Sequence, residues 1–378
     1  MRRRMVVILV IAVVALAGCA AGHPAPSHRT PTPTATPTPP PDPLAGLTLQ
    51  QEVGQLFVVG TPTTGLGPDA LSAIRDSHVG GVFLGGRSLA GVQANSAVGR
   101  AAQAASGDGI PLIVSTDQEG GEVQVLQGPG FDRMPTAVDQ GAMSPQQLLV
   151  AAERWGAQLH AAGVNLDLAP VSDIVPPGFA SQNPPIGVFQ REYGSDAAAV
   201  ETHAAAFAAG LRDAGVLAAA KHFPGLGHVT ANTDTHSGVT DTTIDASSPD
   251  VRLYGRLAHS GVDVVMVSSA IYAKIDPSQP AAFSPAVVGI LRDTLDFTGI
   301  TITDDLSGAV QVASVAPGDR AIRTITAGVD LVLVSHPTGV WAQMVDAVLA
   351  RAGTDPAFRA KVDDAARRVL RWKQAHLG

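Results

Sequence analysis

The chain has 378 residues, of which 45% are hydrophobic and 15% are charged, and its formal net charge is −8. An apolar share of this size can bury the core of one large domain or of two medium ones. An acidic chain with no basic cluster in its folded part repels the phosphate backbone, so we exclude nucleic acid as a partner. The single cysteine excludes a disulfide within the chain.

The first residues carry the features of an export signal. Three arginines, Arg2, Arg3 and Arg4, precede an apolar run over residues 5–17 that is shorter than the roughly 20 residues of a membrane span. The run ends in Leu-Ala-Gly-Cys, which resembles a bacterial lipobox. We therefore predict lipidation of Cys19, export, and a membrane anchor on the extracytoplasmic face of the cell membrane. An ordinary signal peptide with an incidental cysteine is the alternative.

A proline-rich segment follows the predicted anchor. Residues 20–43 contain nine prolines and many threonines but few large apolar side chains. Such a segment cannot bury enough surface to fold, so it behaves as an extended tether. We therefore predict a signal peptide over 1–18, a lipidated cysteine with a disordered linker over 19–46, and one folded domain over 47–378.

Eight short apolar runs recur along the rest of the chain. They lie at residues 55–60, 80–84, 111–117, 164–170, 216–222, 262–268, 299–304 and 329–335. Near-continuous apolar runs are typical of strands buried on both faces, which occur in parallel sheets. With helical segments between them, the runs indicate an α/β protein with a single closed (β/α)8 TIM-type barrel. A doubly wound open sheet is the alternative.

The segments between the runs have helix boundaries that can be read from the sequence. Residues 195–214 are rich in alanine, with Ser195 placed to cap the helix, Asp196 in its first turn and Gly215 at its end. Residues 144–162 and 338–352 are similar. We expect a helix over each of these three segments.

Polar residues gather where the apolar runs end. The runs are followed or closed by Asp117 and Glu119, Asp167 and Asp173, Lys221 and His222, Ser268 and Ser269, and Asp304 and Asp305. In a barrel of this kind the carboxyl ends of the strands and the loops after them form the active site. The sequence therefore predicts a polar mouth on an apolar core.

The loop over residues 221–236 carries His222, His228, Asp234 and His236 among glycines that prevent regular structure. Three histidines and an aspartate could bind a metal, although their spacing matches no standard zinc pattern. The alternative is a pair of Asp234 and His236, which on an extended loop point the same way. A carboxylate beside an imidazole orients the ring and suits a general acid/base.

These residues carry a resemblance to glycoside hydrolase family 3, in its single-domain bacterial β-N-acetylglucosaminidase branch. Residues 221–236 resemble the family signature, and Thr-Asp-Asp-Leu-Ser at 303–307 resembles its nucleophile segment. Three further blocks match in the same order, at 117–121, 165–173 and 191–194. The likeness covers residues 47–377, and five blocks in order are a specific signal.

The resemblance implies a role for each site residue. Asp304 would be the nucleophile of a retaining exo-hydrolase, and Asp234 with His236 would be the acid/base dyad. Four further residues would hold the hydroxyls of the terminal sugar: Asp117, Arg191, Lys221 and His222.

The family also implies the substrate, a terminal β-linked N-acetylglucosamine on saccharides such as peptidoglycan fragments. We expect a monomer that requires no cofactor and no metal. A histidine acid/base tolerates an anionic acceptor, so phosphorolysis is a further activity that the family suggests. The alternatives are a β-glucosidase of the same family and a wall-binding lipoprotein without turnover.

Three positions depart from the family pattern. Leu226 replaces a histidine, and Glu122 and Val125 stand where arginines are usual, one of which contacts the sugar. These changes leave the sugar specificity open. From the same region we assign His228 and Glu119 to loop structure and leave both out of the site.

Overall fold

A computed structural model describes residues 41–336 and 339–378 of the protein. The predicted signal peptide, the predicted lipidation site Cys19 and most of the predicted linker lie outside the described residues. None of the helices in the described part is both long and apolar enough to span a membrane.

The predicted barrel is confirmed. Within the described residues, eight parallel strands pair in chain order: β1 (Phe57–Pro62), β2 (Gly81–Gly85), β3 (Ile113–Thr116), β4 (Leu166–Asp167), β5 (Leu217–Phe223), β6 (Val264–Val267), β7 (Ile300–Thr303) and β8 (Val332–Val334). The first strand pairs with the last, Phe57 opposite Val332. A single bridge, Ile302 to Leu331, joins β7 to β8 and completes a nearly closed ring. The open-sheet alternative is therefore wrong.

Helices surround the strands and cover their outer face. They are α1 (Leu49–Gly54), α2 (Pro68–Ser77), α3 (Gly91–Ala105), α4 (Ala137–Gly141), α5 (Pro145–Ala161), α6 (Ala197–Asp213), α7 (Pro249–His259), α8 (Pro285–Gly289), α9 (Pro317–Ala327), α10 (Val340–Thr354) and α11 (Pro356–His376). One face of the sheet lies in the barrel interior and the helices cover the other, so the strands are almost wholly buried.

The helix boundaries follow from capping side chains. The predicted helix over 144–162 is α5, and Ser144 caps it in a capping box with Gln147. The predicted helix over 195–214 is α6, but Asp196 caps it instead of Ser195. The Asp196 carboxylate accepts hydrogen bonds from the N–H groups of Ala198 and Ala199. Because these two N–H groups have no partner within the helix, the bonds favour Asp196 as the capping residue.

Helix α11 closes the end of the barrel where the strands begin. Arg368 Nε donates to Asp330 Oδ1 over 2.6 Å just before β8. Lys373 Nζ donates to Gln55 Oε1 over 2.7 Å and to the carbonyl of Gly80 over 2.6 Å, just before β1 and β2. The amino ends of the strands are thereby covered, and the carboxyl ends remain open.

The folded unit begins at Asp42, ahead of the predicted boundary at residue 47. Asp42 Oδ1 accepts from Arg367 Nε of α11 over 3.1 Å, and Leu44 is buried in the core. The chain therefore enters the unit at α11, which covers the closed end of the barrel.

Lys373 makes a testable contribution to stability. Burial lowers the pKa of its ammonium group to about 7, whereas in the unfolded chain the pKa is about 10.4. Between these values the unfolded chain holds a proton that the folded protein has released, so a rise in pH favours folding. We expect the melting temperature to rise from pH 7 to pH 9 relative to that of Lys373→Met. If the melting temperatures of the two proteins differ by the same amount from pH 7 to pH 9, the pKa of Lys373 is not lowered.

Candidate active site

A cavity of about 590 Å³ opens at the carboxyl ends of the strands, the end of such barrels that carries active sites. Its lining includes six side chains that the sequence assigned to a site: Asp117, Arg191, Lys221, His222, Asp234 and Asp304. Asp117 and Asp304 directly follow β3 and β7, and Lys221 and His222 lie on β5. Barrel closure thus brings these distant segments to one cavity.

The floor of the cavity is a cluster of two cations and two carboxylates. Lys221 Nζ donates to Asp117 Oδ1 over 2.7 Å and lies 2.5 Å from Glu119 Oε1. Arg191 donates to both carboxylate oxygens of Glu119, from Nε and from Nη2, over 2.8 Å each. Lys221 and Glu119 are buried, so each of these charges requires a partner. The bidentate contact with Arg191 gives Glu119 a partner in a fixed geometry.

The charges of this cluster stabilise one another. Burial raises the pKa of Glu119, but Arg191 and Lys221 outweigh it and lower the pKa to about 2. Burial lowers the pKa of Lys221, but Asp117 and Glu119 outweigh it and raise the pKa above its usual value. Glu119 and Lys221 therefore stay ionised at neutral pH and present fixed polar groups to a ligand.

Glu119 is the residue that the sequence analysis wrongly left out of the site. It lines the cavity and pairs with two of the predicted sugar-binding residues. Asp117 and Glu119 flank Gln118 at the start of the short strand Gln118–Gly120, and alternate side chains of extended backbone share a face. This spacing was the signal that could have placed Glu119 beside Asp117.

Asp167 adds a third carboxyl group to the surroundings of the floor. It is wholly buried, and its Oδ1 accepts from the N–H of Gln118 over 2.9 Å. Its Oδ2 has no hydrogen-bond partner within the residues described. Because Asp117 and Glu119 already match the two cations, a third negative charge would lack compensation. Burial is the main cause that raises the pKa of Asp167 well above its usual value, which favours the protonated acid.

His222 is oriented by Asp173. The Nδ1 of the ring lies 2.7 Å from Asp173 Oδ2, and both side chains are buried. The other oxygen, Oδ1, accepts from the backbone N–H of Leu226 over 2.7 Å. A carboxylate beside Nδ1 favours the proton on that atom and leaves Nε2 for contact with a ligand.

Asp304 and Asp305 both line the cavity but differ in their partners. Asp304 Oδ1 accepts only from the N–H of Asp305, over 2.9 Å, among the bonds of the described residues. Asp305 accepts from the N–H groups of Ser307, Gly308 and Ser335. Burial, with the charge of Asp234, raises the pKa of Asp304 to about 6 against the opposing effect of His222. Asp305 supports the loop, and Asp304 remains available for chemistry.

Asp234 and His236 lie on the loop after β5, but the expectation of an extended loop there is wrong. The N–H groups of Thr235 and His236 donate to the carbonyl of Asn232, over 3.2 and 2.9 Å, and close a turn. Residues two apart share a face on extended backbone, and a turn does not provide that geometry. Both side chains are exposed, but Asp234 lines the cavity and His236 does not; His236 Nδ1 lies 2.9 Å from Thr235 Oγ1.

His222 and His228 of the loop lie beside different carboxylates. No group of three His, Cys, Asp or Glu side chains within residues 41–336 and 339–378 is arranged to hold a metal ion. His228 Nε2 lies 3.2 Å from Asp250 Oδ1, a contact that joins the loop to α7. His222 and His228 therefore have separate carboxylate partners.

The three residues that depart from the family pattern differ in burial. Val125 and Leu226 line the cavity and are buried. Glu122 is exposed, and its carbonyl accepts from Arg87 Nη2 over 2.7 Å. The cavity therefore has an apolar surface where arginine is usual at position 125, and Glu122 places its charge outside.

Comparison with known proteins gives the chain a family context. Residues 48–372 match the family described as Glycosyl hydrolase family 3 N terminal domain. The β-hexosaminidase LpqI of Mycobacterium tuberculosis is 33% identical, over 76% of this chain and 73% of its own. A β-hexosaminidase of Stenotrophomonas maltophilia is also 33% identical, over 75% and 84%. The crystal structure of a β-N-acetylhexosaminidase from Beutenbergia cavernae is 52% identical, with a TM-score of 0.86, over 87% of this chain and 99% of that one.

Asp167 should make the free energy of unfolding fall as the pH rises. In the folded protein its pKa is raised, so the folded state keeps a proton that the unfolded chain loses above about pH 4. Asp167→Asn mimics the neutral acid and retains the acceptor for Gln118. We expect this variant to gain melting temperature relative to the wild type as the pH rises from 4 to 7. The exposed Asp213→Asn is the control, and an equal trend in both variants would show that Asp167 is ionised.

Proposed function

Because the chain belongs to glycoside hydrolase family 3 and is a β-hexosaminidase of that family, we propose that it removes a terminal β-linked N-acetylglucosamine with retention of configuration. The observation that carries the mechanism is Asp304. It lines the cavity beside the charged floor, and no cation is bonded to its carboxylate among the described residues. A carboxylate in this position is available to attack an anomeric carbon.

The terminal sugar occupies the floor of the cavity. Asp117, Arg191, Lys221 and His222 hold its hydroxyls, as the family resemblance implies. Their geometry supports this role, since Glu119 and Asp173 hold the cations and the imidazole in place before any ligand binds. Such preorganisation reduces the ordering that binding would otherwise require.

The reaction proceeds in two displacements. A carboxylate oxygen of Asp304 attacks the anomeric carbon, the bond from that carbon to the leaving oxygen breaks, and the dyad of His236 and Asp234 donates a proton to that oxygen. Water then attacks the glycosyl ester, gives its proton back to the dyad and releases Asp304. Because His236 does not line the cavity in this structure, the loop after β5 has to carry its imidazole inward for the proton transfer.

The substrate is a saccharide of the cell wall, such as a peptidoglycan fragment. Export and lipidation of Cys19 would hold the enzyme outside the membrane, beside this material, at the end of the proline-rich tether. We propose that the protein works there as a monomer. Phosphate as acceptor in place of water is a second activity to be tested, since a neutral histidine does not repel it.

The proposal is tested with fluorogenic β-N-acetylglucosaminide and β-glucoside substrates. We expect turnover of the first and a loss of roughly 10⁴-fold or more in Asp304→Asn, because the amide cannot form the glycosyl ester. The exposed Asp213→Asn controls for the removal of one negative charge. Turnover of the glucoside instead would identify a β-glucosidase. Binding of muropeptides without turnover of any substrate would identify a wall-binding protein.

The pH profile follows from the ionisation of the nucleophile. Burial and Asp234 raise the pKa of Asp304 to about 6, and only the carboxylate can attack. We expect kcat/KM to fall about tenfold per pH unit below that value. In Asp234→Asn one cause of the raised pKa is removed, so the acidic limb should move to lower pH even though the rate is lower. If the acidic limb lies at the same pH in both proteins, a group other than Asp304 causes it.

A further inference from the structure

The cavity has a buried end and an exposed end, which orient any ligand. Lys221, His222 and Glu119 at the floor are each less than 6% exposed. Asp234 and His336, which also line the cavity, are exposed. A terminal sugar bound at the floor therefore directs its leaving oxygen outward. Groups at the exposed end contact the leaving group attached to that oxygen.

His336 lies at this exposed end, on the loop after β8. Its side chain is 70% exposed, and its ring nitrogen Nδ1 is 2.9 Å from Ser335 Oγ and 3.5 Å from Asp305 Oδ2. The backbone N–H of His336 donates to Ser307 Oγ over 3.0 Å. The backbone of His336 is thus bonded to the loop that follows Asp304, and its ring lies beside that loop.

Asp305 places a negative charge beside Nδ1 of the imidazole. Burial raises the pKa of Asp305, but hydrogen bonds from Ser307, Ser335 and Gly308 outweigh it and hold the pKa below its usual value. The carboxylate is therefore ionised at neutral pH, and its charge beside Nδ1 favours a proton on that atom. Nε2, on the opposite edge of the ring, is left as an acceptor for a ligand hydroxyl.

The segment 308–310 separates His336 from the predicted acid/base group. Gly308 lies against the imidazole, since a Cβ built on it would be 3.0 Å from Nδ1 of His336. Two residues on, the N–H of Val310 donates to the carbonyl of Asp234 over 3.2 Å. His336 and Asp234 therefore flank the same short segment of the cavity wall.

We propose that His336 binds a hydroxyl of the leaving-group sugar and makes the enzyme favour a saccharide over an aryl leaving group. The proposal rests on the proposed function, because it assumes a terminal sugar at the floor. It adds a specificity residue that sequence reasoning missed. The preceding strand is apolar, and the contact with Asp305 spans loops that only the barrel brings together.

The test compares N,N′-diacetylchitobiose with 4-methylumbelliferyl β-N-acetylglucosaminide, using the whole protein. We expect His336→Ala to lower the ratio of kcat/KM for the disaccharide to kcat/KM for the aryl substrate by about tenfold, the scale of one lost hydrogen bond. His160→Ala, on the exposed face of α5, is the matched control and should leave the ratio unchanged.

A second variant tests the position of the ring without removing it. In Gly308→Ala the new Cβ would lie 3.0 Å from His336 Nδ1 and 3.1 Å from Asp305 Oδ2, so the imidazole must shift by a few tenths of an ångström. We expect the ratio to fall in the same direction by a smaller factor. Melting temperatures of both variants separate this effect from a loss of folding.

The outcomes separate this proposal from the function on which it rests. If the wild type hydrolyses neither substrate, the proposed function fails and this inference fails with it. If the wild type is active and His336→Ala leaves the ratio unchanged, only the role of His336 is overturned. An equal fall on both substrates with a lower melting temperature would assign His336 to loop structure, which also overturns the proposal.

Discussion

Closure of the parallel sheet is the constraint on which the rest of the molecule depends. Because all eight strands of the described unit run in the same direction, the pairing of β1 with β8 collects their carboxyl ends in one ring. Asp117 and Asp304, far apart in the chain, therefore line one cavity. Helix α11 covers the opposite end, where Arg368 and Lys373 bond to groups that precede the strands. One end of the barrel contributes stability and the other carries the site.

Within that ring, the charged side chains differ in whether an opposite charge is bonded to them. Lys221 and Arg191 are matched by Asp117 and Glu119, so the floor is polar and rigid without a net charge of its own. Asp304 differs, since within the described residues its carboxylate accepts only from a backbone N–H, and burial raises its pKa. A carboxylate that is not bonded to a cation retains its nucleophilic character. The paired groups are thus fixed by their ion pairs, and Asp304 is the carboxylate of the cavity that we propose as the nucleophile.

The exposed end of the cavity is built by loops, and its geometry depends on contacts between them. The turn at Asn232 places Asp234 against the segment 308–310 and leaves His236 exposed. On the other side of that segment, His336 contacts Asp305. Loops tolerate movement more readily than strands. The floor is therefore preformed, whereas the proposed proton transfer from His236 would require the loop after β5 to move.

The sequence by itself determined the barrel and six of the polar side chains that line the cavity. Strands buried on both faces need continuous apolar runs, and polar residues at the ends of those runs have to face the open rim. Local hydrogen bonds also made α5 predictable, since Ser144 caps it within four residues. Only the tertiary structure decided which side chains of the cavity pair with one another. Glu119 pairs with Arg191, 72 positions away, and Asp173 orients His222, 49 positions away. Nothing local specifies such pairs, because the separations and directions of the side chains exist only once the barrel has closed.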